Sequence, residues 1–407
     1  MAKNKPQIRF QGHENEWEEK TLKQVVNYSS TGVRACDVSD NGLYDLYDAN
    51  EVIGKTSTFA SETPYISIIK DGSGVGRVRL LPGRTNCLGT MGVITPKDSN
   101  DVNFAFSHLQ TKDFKKHIIS GAIPHVYFRD YGEDELCIPQ PIEQKKIGEL
   151  FRSLDELIEA KEQELEKLRQ IKLALLDGMF PSDEPDKLNR GGYNALISSV
   201  LQTNSHLYMS NPELNVPVIR FRGFTEPWEL RTFGYYGNIS MCKRVMKYQT
   251  TEKGEVPFYK IGTFGHIADA YISKELFDNL KRNYPYPQKG DILISAAGTI
   301  GRTVEFSGDD EYFQDSNIVW LNHNNTIYNP FLKITYSIVK WNGLEGSTLK
   351  RLYNNNILNT KFYIPSFAEQ KKIGDFFSEQ DENIRSAQLQ INKLRNIKQA
   401  CMQKMFA

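Results

Sequence analysis

From Ile147 the apolar positions advance in alternating steps of four and three. Ile147, Phe151, Leu154, Ile158, Leu165, Leu168 and Leu175 form the series, Lys161 and Lys172 take two places in it, and Glu, Lys and Gln fill the intervals. That spacing predicts a heptad seam along one helix face. It returns as Ile373, Phe377, Ile384, Ile391 and Leu394, now interleaved with Gln380, Ala387, Lys398 and Cys401, so the second seam is more polar. Polar seam residues weaken a pairing while fixing its register. No Pro or Gly interrupts residues 149–177, and a helix of roughly 35 residues extends about 50 Å, beyond what an ordinary globular helix needs. Either each helix packs on its own domain, or the two pair antiparallel and hold two globular domains apart. The matched seams favour the second arrangement.

The helices close two copies of a longer repeat. Ile138-Pro139 and Glu143-Gln144-Lys145-Lys146-Ile147-Gly148 recur as Ile364-Pro365 and Glu369-Gln370-Lys371-Lys372-Ile373-Gly374. Each half also opens alike, with Ile8-Arg9-Phe10, Gly12 and Trp17-Glu18 answered by Ile219-Arg220-Phe221, Gly223 and Trp228-Glu229. Long-period similarity of this kind marks a duplication.

Between head and tail, apolar runs around glycine-rich turns predict strands. Tyr65–Lys70 and Arg77–Leu81 flank the glycine-rich Asp71–Gly76, and Asp291–Ser295 and Arg302–Phe306 flank Ala296–Gly301. Val75-Gly76-Arg77 matches Ile300-Gly301-Arg302. A second matched loop follows, Ser120-Gly121-Ala-Ile-Pro-His125 against Glu345-Gly346-Ser-Thr-Leu-Lys-Arg351, which places His125 on Arg351. Elsewhere the middles share little, as one fold carrying two specificities would.

Breakers at 181–192 end the first copy, and 193–216, with one apolar run at 195–201, reads as an exposed linker holding at most a short helix. The fold class is α+β: two similar domains of mixed β/α structure separated by two long helices forming an antiparallel coiled coil. The boundaries are 1–142 for the first domain with its head, 143–180 for the central helix and 181–217 for the linker. Then come 218–368 for the second domain with its head and 369–407 for the second helix.

Composition narrows the chemistry. The formal net charge of zero gives no global basic excess, so a nucleic-acid surface must come from segregated charge. Cys36, Cys87, Cys137, Cys242 and Cys401 are scattered with no Cys-x-x-Cys pair, which points to reduced thiols rather than a disulfide or metal framework. The start of the chain lacks an apolar signal region, and no run approaches the ~18 apolar residues of a membrane helix. A soluble cytoplasmic protein is expected.

Catalytic signatures are missing. There is no Gly-x-x-x-x-Gly-Lys-Ser/Thr, and the glycine-rich turns lie between strands instead of leading into a helix, so they read as tight turns. Asn329-Pro330-Phe331 falls short of the amino-methyltransferase tetrapeptide, and Glu184-Pro-Asp186-Lys187 is a poor nuclease cluster because no strands flank it. No histidine pair has ligand spacing, so no metal site and no catalytic residue is assigned.

The tryptophan-bearing heads, the paired glycine-arginine turns, the Ser-Gly-x-Ile-Pro-His loop and above all the doubled Ile-Pro-x-x-x-Glu-Gln-Lys-Lys-Ile-Gly tail resemble the specificity subunit of type I restriction-modification enzymes. The resemblance covers nearly the whole chain. It implies two target-recognition domains, each reading half of a split double-stranded DNA sequence, with the tail helices setting the gap. It implies docking of two modification subunits, which hold S-adenosylmethionine and methylate adenine. Through these it implies docking of restriction subunits that use ATP and Mg, for defence against foreign DNA, with no cofactor on this chain. Residues 193–216 and Leu349-Lys350-Arg351, standing where the first half has Ile123-Pro124-His125, depart from the pattern.

On this reading DNA meets Lys70, Arg77, Arg79, His125 and Arg129 in the first half, and Lys243, Arg244, Lys260, Arg302, Lys350 and Arg351 in the second. Two other classes compete: a coiled-coil scaffold gripping proteins, in which these cations would scatter, and a DNA-modifying enzyme with an unrecognised site.

Overall fold

The computed structural model describes residues 5–119, 121, 123–181, 193–210, 215–343 and 351–406. The chain forms two compact units, one of residues 1–164 with 387–407 and the other of residues 165–386.

The first unit runs β1 (Glu18–Thr21), α1 (Leu22–Val25), β2 (Val26–Ser30), β3 (Tyr44–Tyr47), β4 (Val52–Thr56), β5 (Tyr65–Ile69), β6 (Val78–Leu81), β7 (Asn86–Cys87), β8 (Met91–Pro96), α2 (Val102–Gln110), α3 (Phe128–Tyr131) and β9 (Glu135–Ile138). It then enters the 39-residue helix α4 (Pro141–Met179). Four antiparallel strands in the order β2-β8-β5-β6 make its main sheet, and β4-β3-β7 make a second in which β3 and β7 are parallel. Every residue of β5 is buried, as a central strand covered on both faces requires.

The second unit contains α5 (Tyr193–Thr203), β10 (Leu207–Met209), β11 (Ile219–Phe221), β12 (Glu229–Thr232), α6 (Phe233–Tyr236), β13 (Asn238–Ser240), β14 (Val256–Tyr259), β15 (Tyr271–Ile272), α7 (Lys274–Asn283), β16 (Ile292–Ser295), β17 (Thr303–Glu305), β18 (Tyr312–Phe313), β19 (Ile318–Asn322), α8 (Asn329–Ile338), α9 (Asn354–Asn359) and β20 (Lys361–Ile364). The 39-residue helix α10 (Phe367–Met405) follows. Its sheets, β13-β19-β16-β17 and β15-β14-β18, repeat the first unit strand for strand, including the parallel β14–β18 pair. The two middles are one fold.

The residues read as a linker depart from that expectation. Ile197 and Val200 of α5 and Leu207 of β10 are buried in the second unit's core, and β10 pairs with β11. The apolar run presents a stripe at i and i+3, which a solvated linker would leave uncovered. Glu184 and Lys187 lie outside the described residues. Among those described, no helix is long and apolar enough to cross a membrane.

The duplicated head and tail explain one another. β1 pairs with β9 from Glu18 opposite Ile138, and β12 pairs with β20 from Glu229 opposite Ile364. Arg9 then donates two hydrogen bonds of 2.7 Å to buried Glu143, and Arg220 donates to Glu369 at 2.8 and 2.9 Å. Gln144 donates to the Pro139 carbonyl at 2.9 Å and accepts from the Asp101 amide, while Gln370 donates to the Pro365 carbonyl and accepts from the Tyr328 amide at 3.0 Å. Ile147 and Ile373 enter the cores. Gly148 and Gly374 admit the start of a neighbouring helix, since a Cβ would lie 2.8 Å from the Phe104 amide nitrogen and 2.9 Å from that of Phe331. Within Glu-Gln-Lys-Lys-Ile-Gly, only the lysines face solvent.

Both long helices contribute to each unit. In the first, Phe151 stacks on Phe406 at 5.6 Å, Lys398 bonds Asp155 at 2.6 Å and Arg395 bonds Glu162 at 2.6 Å, so the segments run antiparallel. In the second, Ala174, Leu175 and Met179 pack with Ile373 and Phe377, and Lys172 pairs with Asp381. Lys172 is the repeat counterpart of Lys398, and Asp381 of Asp155. Each seam lysine therefore reaches the same carboxylate position of the opposite segment. The remaining seam residues, Leu154, Ile158, Leu165, Leu168, Ile384, Ile391 and Leu394, are buried or half-buried.

Candidate nucleic-acid interface

The glycine-rich turn closes a hairpin in each unit. The Gly76 amide donates to the Ile69 carbonyl at 2.8 Å, and the Gly301 amide to the Ser295 carbonyl at 3.0 Å. Both glycines have positive φ, +88° and +82°, and an aromatic side chain, Phe114 or Trp341, presses against the position a Cβ would take.

The second loop lies directly against this hairpin. Val126 donates to the Lys70 carbonyl at 3.0 Å and Leu352 to the Ala296 carbonyl at 2.8 Å, which brings His125 beside Asp71 and Arg351 beside Ala297. His125 and Arg351 thus occupy equivalent sites. Residues 120, 122 and 344–350, and with them Lys350, lie outside the described residues.

In the first unit the structure brings together Lys70, His125 and Arg129. Lys70 is 3.8 Å from Asp71, Asp71 pairs with the His125 ring, that ring packs on Tyr127 at 3.9 Å, and the Arg129 guanidinium lies over the Tyr127 ring at 4.8 Å. Arg77 and Arg79 turn elsewhere. Arg77 donates to the Ala49 carbonyl and, at 2.7 Å, to Asn50, while Arg79 donates to the Asp48 carbonyl at 3.3 Å and covers Tyr47. Both hold the turn after β3. The Glu51 and Asn50 amides keep the Asp48 carboxyl below the usual carboxylate range, which fastens the same turn.

In the second unit Arg244, Lys260 and Arg351 line one cleft of about 540 Å³. Lys247, Thr250, Gln314, Asp315, Ser316 and Asn317 complete its polar wall. Arg244 is held by Asp315 at 2.9 Å and Arg351 by the Ser316 carbonyl at 3.2 Å, while Lys260 pairs with Asp269 at 2.8 Å. Four cations against two carboxylates, Asp315 in the lining and Asp269 beside it, leave a local positive excess that the zero net charge conceals. Asn317 has no side-chain hydrogen bond among the described residues. Ser316 holds the floor with φ at +61°, a sparsely populated conformation for a serine. Lys243 sits over Tyr284 at 4.8 Å, outside this lining. Arg302 binds the Phe264 carbonyl at 2.9 Å and His266 at 3.2 Å, and so fixes the loop after β14.

Cations positioned this way suit phosphate oxygens, and free amides and hydroxyls suit base edges. Sequence reasoning missed Lys247, Asn317 and the two tyrosines beside the second loop, Tyr127 and Tyr353. A signal existed for the first, because Lys243-Arg244-Val245-Met246-Lys247-Tyr248 interleaves basic and aromatic residues. Among the described residues no group of three or more His, Cys, Asp or Glu is placed to hold a metal ion.

Comparison with known proteins completes the picture. A type I restriction enzyme specificity subunit of Haemophilus influenzae is 55% identical over 141 residues, which is 34% of this chain and 37% of that relative. The matched part thus spans little more than a third of the relative. The type I restriction-modification S subunit of M. genitalium shares the fold, with a TM-score of 0.67 at 19% identity over 99% of both chains. The family described as type I restriction modification DNA specificity domain matches twice, at residues 14–170 and 225–396, and the chain belongs to this family.

Proposed function

We propose that this chain is the DNA-recognition subunit of a type I restriction-modification complex and performs no chemistry itself. Each unit reads one half of a bipartite double-stranded target, and the α4 and α10 pair sets the gap between the halves. The subunit docks two modification subunits carrying S-adenosylmethionine and, through them, restriction subunits that use ATP and Mg. The cleft of the second unit carries this reading: Arg244, Lys247, Lys260 and Arg351 line it together with Asn317, whose side chain has no hydrogen bond among the described residues. Duplication supports the rest, because one topology bearing unlike side chains is what two readers of unlike half-sites need. Duplicated tails offer two copies of one docking surface, which suits two copies of one partner.

Exchanging residues 26–137 for those of a relative with another target, followed by mapping of methylated adenines in the host genome, tests this. One half of the methylated motif should change while the other half and the gap persist. A change in both halves, or in neither, overturns the two-reader reading.

A further inference from the structure

The second loop ends in each unit on an exposed tyrosine. Tyr127 and Tyr353 are repeat counterparts, each two residues beyond the matched His125 or Arg351. Apart from the glycine-arginine turn and this loop the middles share little sequence, and neither ring is needed for a core: Tyr127 is 42% exposed and Tyr353 64%. Each precedes a short helix, α3 or α9, and accepts through its carbonyl from that helix's amides. Each ring lies beside a basic group, with His125 and Arg129 around Tyr127 and the Arg351 guanidinium 5.9 Å from Tyr353. Neither hydroxyl has a hydrogen-bond partner among the described residues.

We propose that Tyr127 and Tyr353 are matched contacts to the DNA backbone, seating each unit on its half-site whatever the bases there. The inference rests on the reading of the units as DNA readers and adds a division of labour within it. A side chain kept identical in two units that read different bases cannot encode the difference. It suits what all duplexes share: a hydroxyl donating to phosphate and a ring lying on deoxyribose. Rings already held against a cation lose little freedom when DNA arrives.

The test is binding by the complex assembled with its modification subunits, to target and to unrelated duplex, for Tyr127→Ala, Tyr353→Ala and the corresponding Phe variants. Each alanine variant should weaken both duplexes by the same factor, about tenfold, with the methylated motif unchanged. The Phe variants should recover part of that loss. An alanine variant that relaxes one base position while sparing unrelated duplex, or one that leaves both affinities unchanged, overturns the proposal. Both rings are exposed, so the melting temperature should stay at the wild-type value, and a lower one would assign them a structural role instead. A wild-type complex that binds no DNA would remove the underlying reading and this inference with it.

Discussion

Replacing Arg220 with Met strands a carboxylate. Arg220 and Glu369 are 3% and 2% exposed, so no water reaches Glu369 once its two bonds, 2.8 and 2.9 Å long, are gone. Breaking a buried pair from one side costs about 3–5 kcal/mol. Glu369 lies in the first turn of α10, where the helix dipole returns up to ~1 kcal/mol. A net loss of ~3 kcal/mol follows for Arg220→Met. Its counterpart Arg9 is 16% exposed, and His13 stands 3.9 Å from Glu143 as a second partner, so Arg9→Met should cost ~1–2 kcal/mol. Arg220→Met with Glu369→Leu should recover most of the loss, because an apolar pair of similar volume replaces an ionic one. Hydrogen exchange resolved by peptide reads each unit separately, which a single unfolding curve of a two-unit chain does not. Protection should fall in β12, β20 and the start of α10 for Arg220→Met, and in β1, β9 and the start of α4 for Arg9→Met. Equal costs at the two sites, or a double variant as damaged as the sum of its single changes, would refute the argument from burial.

Three further outcomes are expected. Deleting residues 159–165 together with 385–391 keeps the heptad phase and removes about 10 Å of helix, so the preferred gap between half-sites should shorten by roughly three base pairs in methylation mapping. In the cleft, Arg244→Ala and Lys247→Ala should weaken all duplexes alike and each lower the salt slope of binding by about one, whereas Asn317→Ala should relax a single base position at ~1–3 kcal/mol. Burial, aided by the charge of Lys112, pushes the His108 imidazole down from its ordinary 6.5 to about 4. The unfolded chain therefore takes up a proton that the folded unit refuses. Stability attributable to this group is full above pH 6.5 and is lost as pH falls towards 4, so His108→Met should flatten the fall in melting temperature across that window relative to wild type.

What the sequence revealed follows from the range of each interaction. The seam at Ile147, Phe151, Ile373 and Phe377 is written at a period of seven residues, a local pattern that can be read off the chain, and its side chains are buried in the cores. The equivalence of His125 and Arg351 was legible from two short matches. The directions of Arg77 and Arg302 were not, because their partners at Asn50 and Phe264 lie 27 and 38 residues away and have no matching sequence. The Glu of the tail motif marked a boundary but gave no hint of its role, since its arginine lies 134 or 149 residues earlier. Burial of α5 was missed for a related reason: a segment without a counterpart in the other half offers no repeat to compare. The cleft needed Lys247 and Asn317 in one lining, and they come from segments that flank the paired β14 and β18.

The composition of the first unit has a consequence for how the chain is made. Met405 and Phe406 sit in the same core as Trp17 and Phe104, and the Gln7 amide donates to the Lys404 carbonyl at 2.8 Å. The whole second unit is translated between Glu164 and Ala387. At about 5–20 residues per second the first unit waits roughly 10–45 s on the ribosome with Phe104, His108 and Phe151 lacking Phe406 as a neighbour. The second unit has no such delay before its own segment of α10 emerges. The domain begun first is therefore finished last, and a nascent chain halted before residue 387 leaves an apolar helix face for chaperones or a second nascent chain to cover.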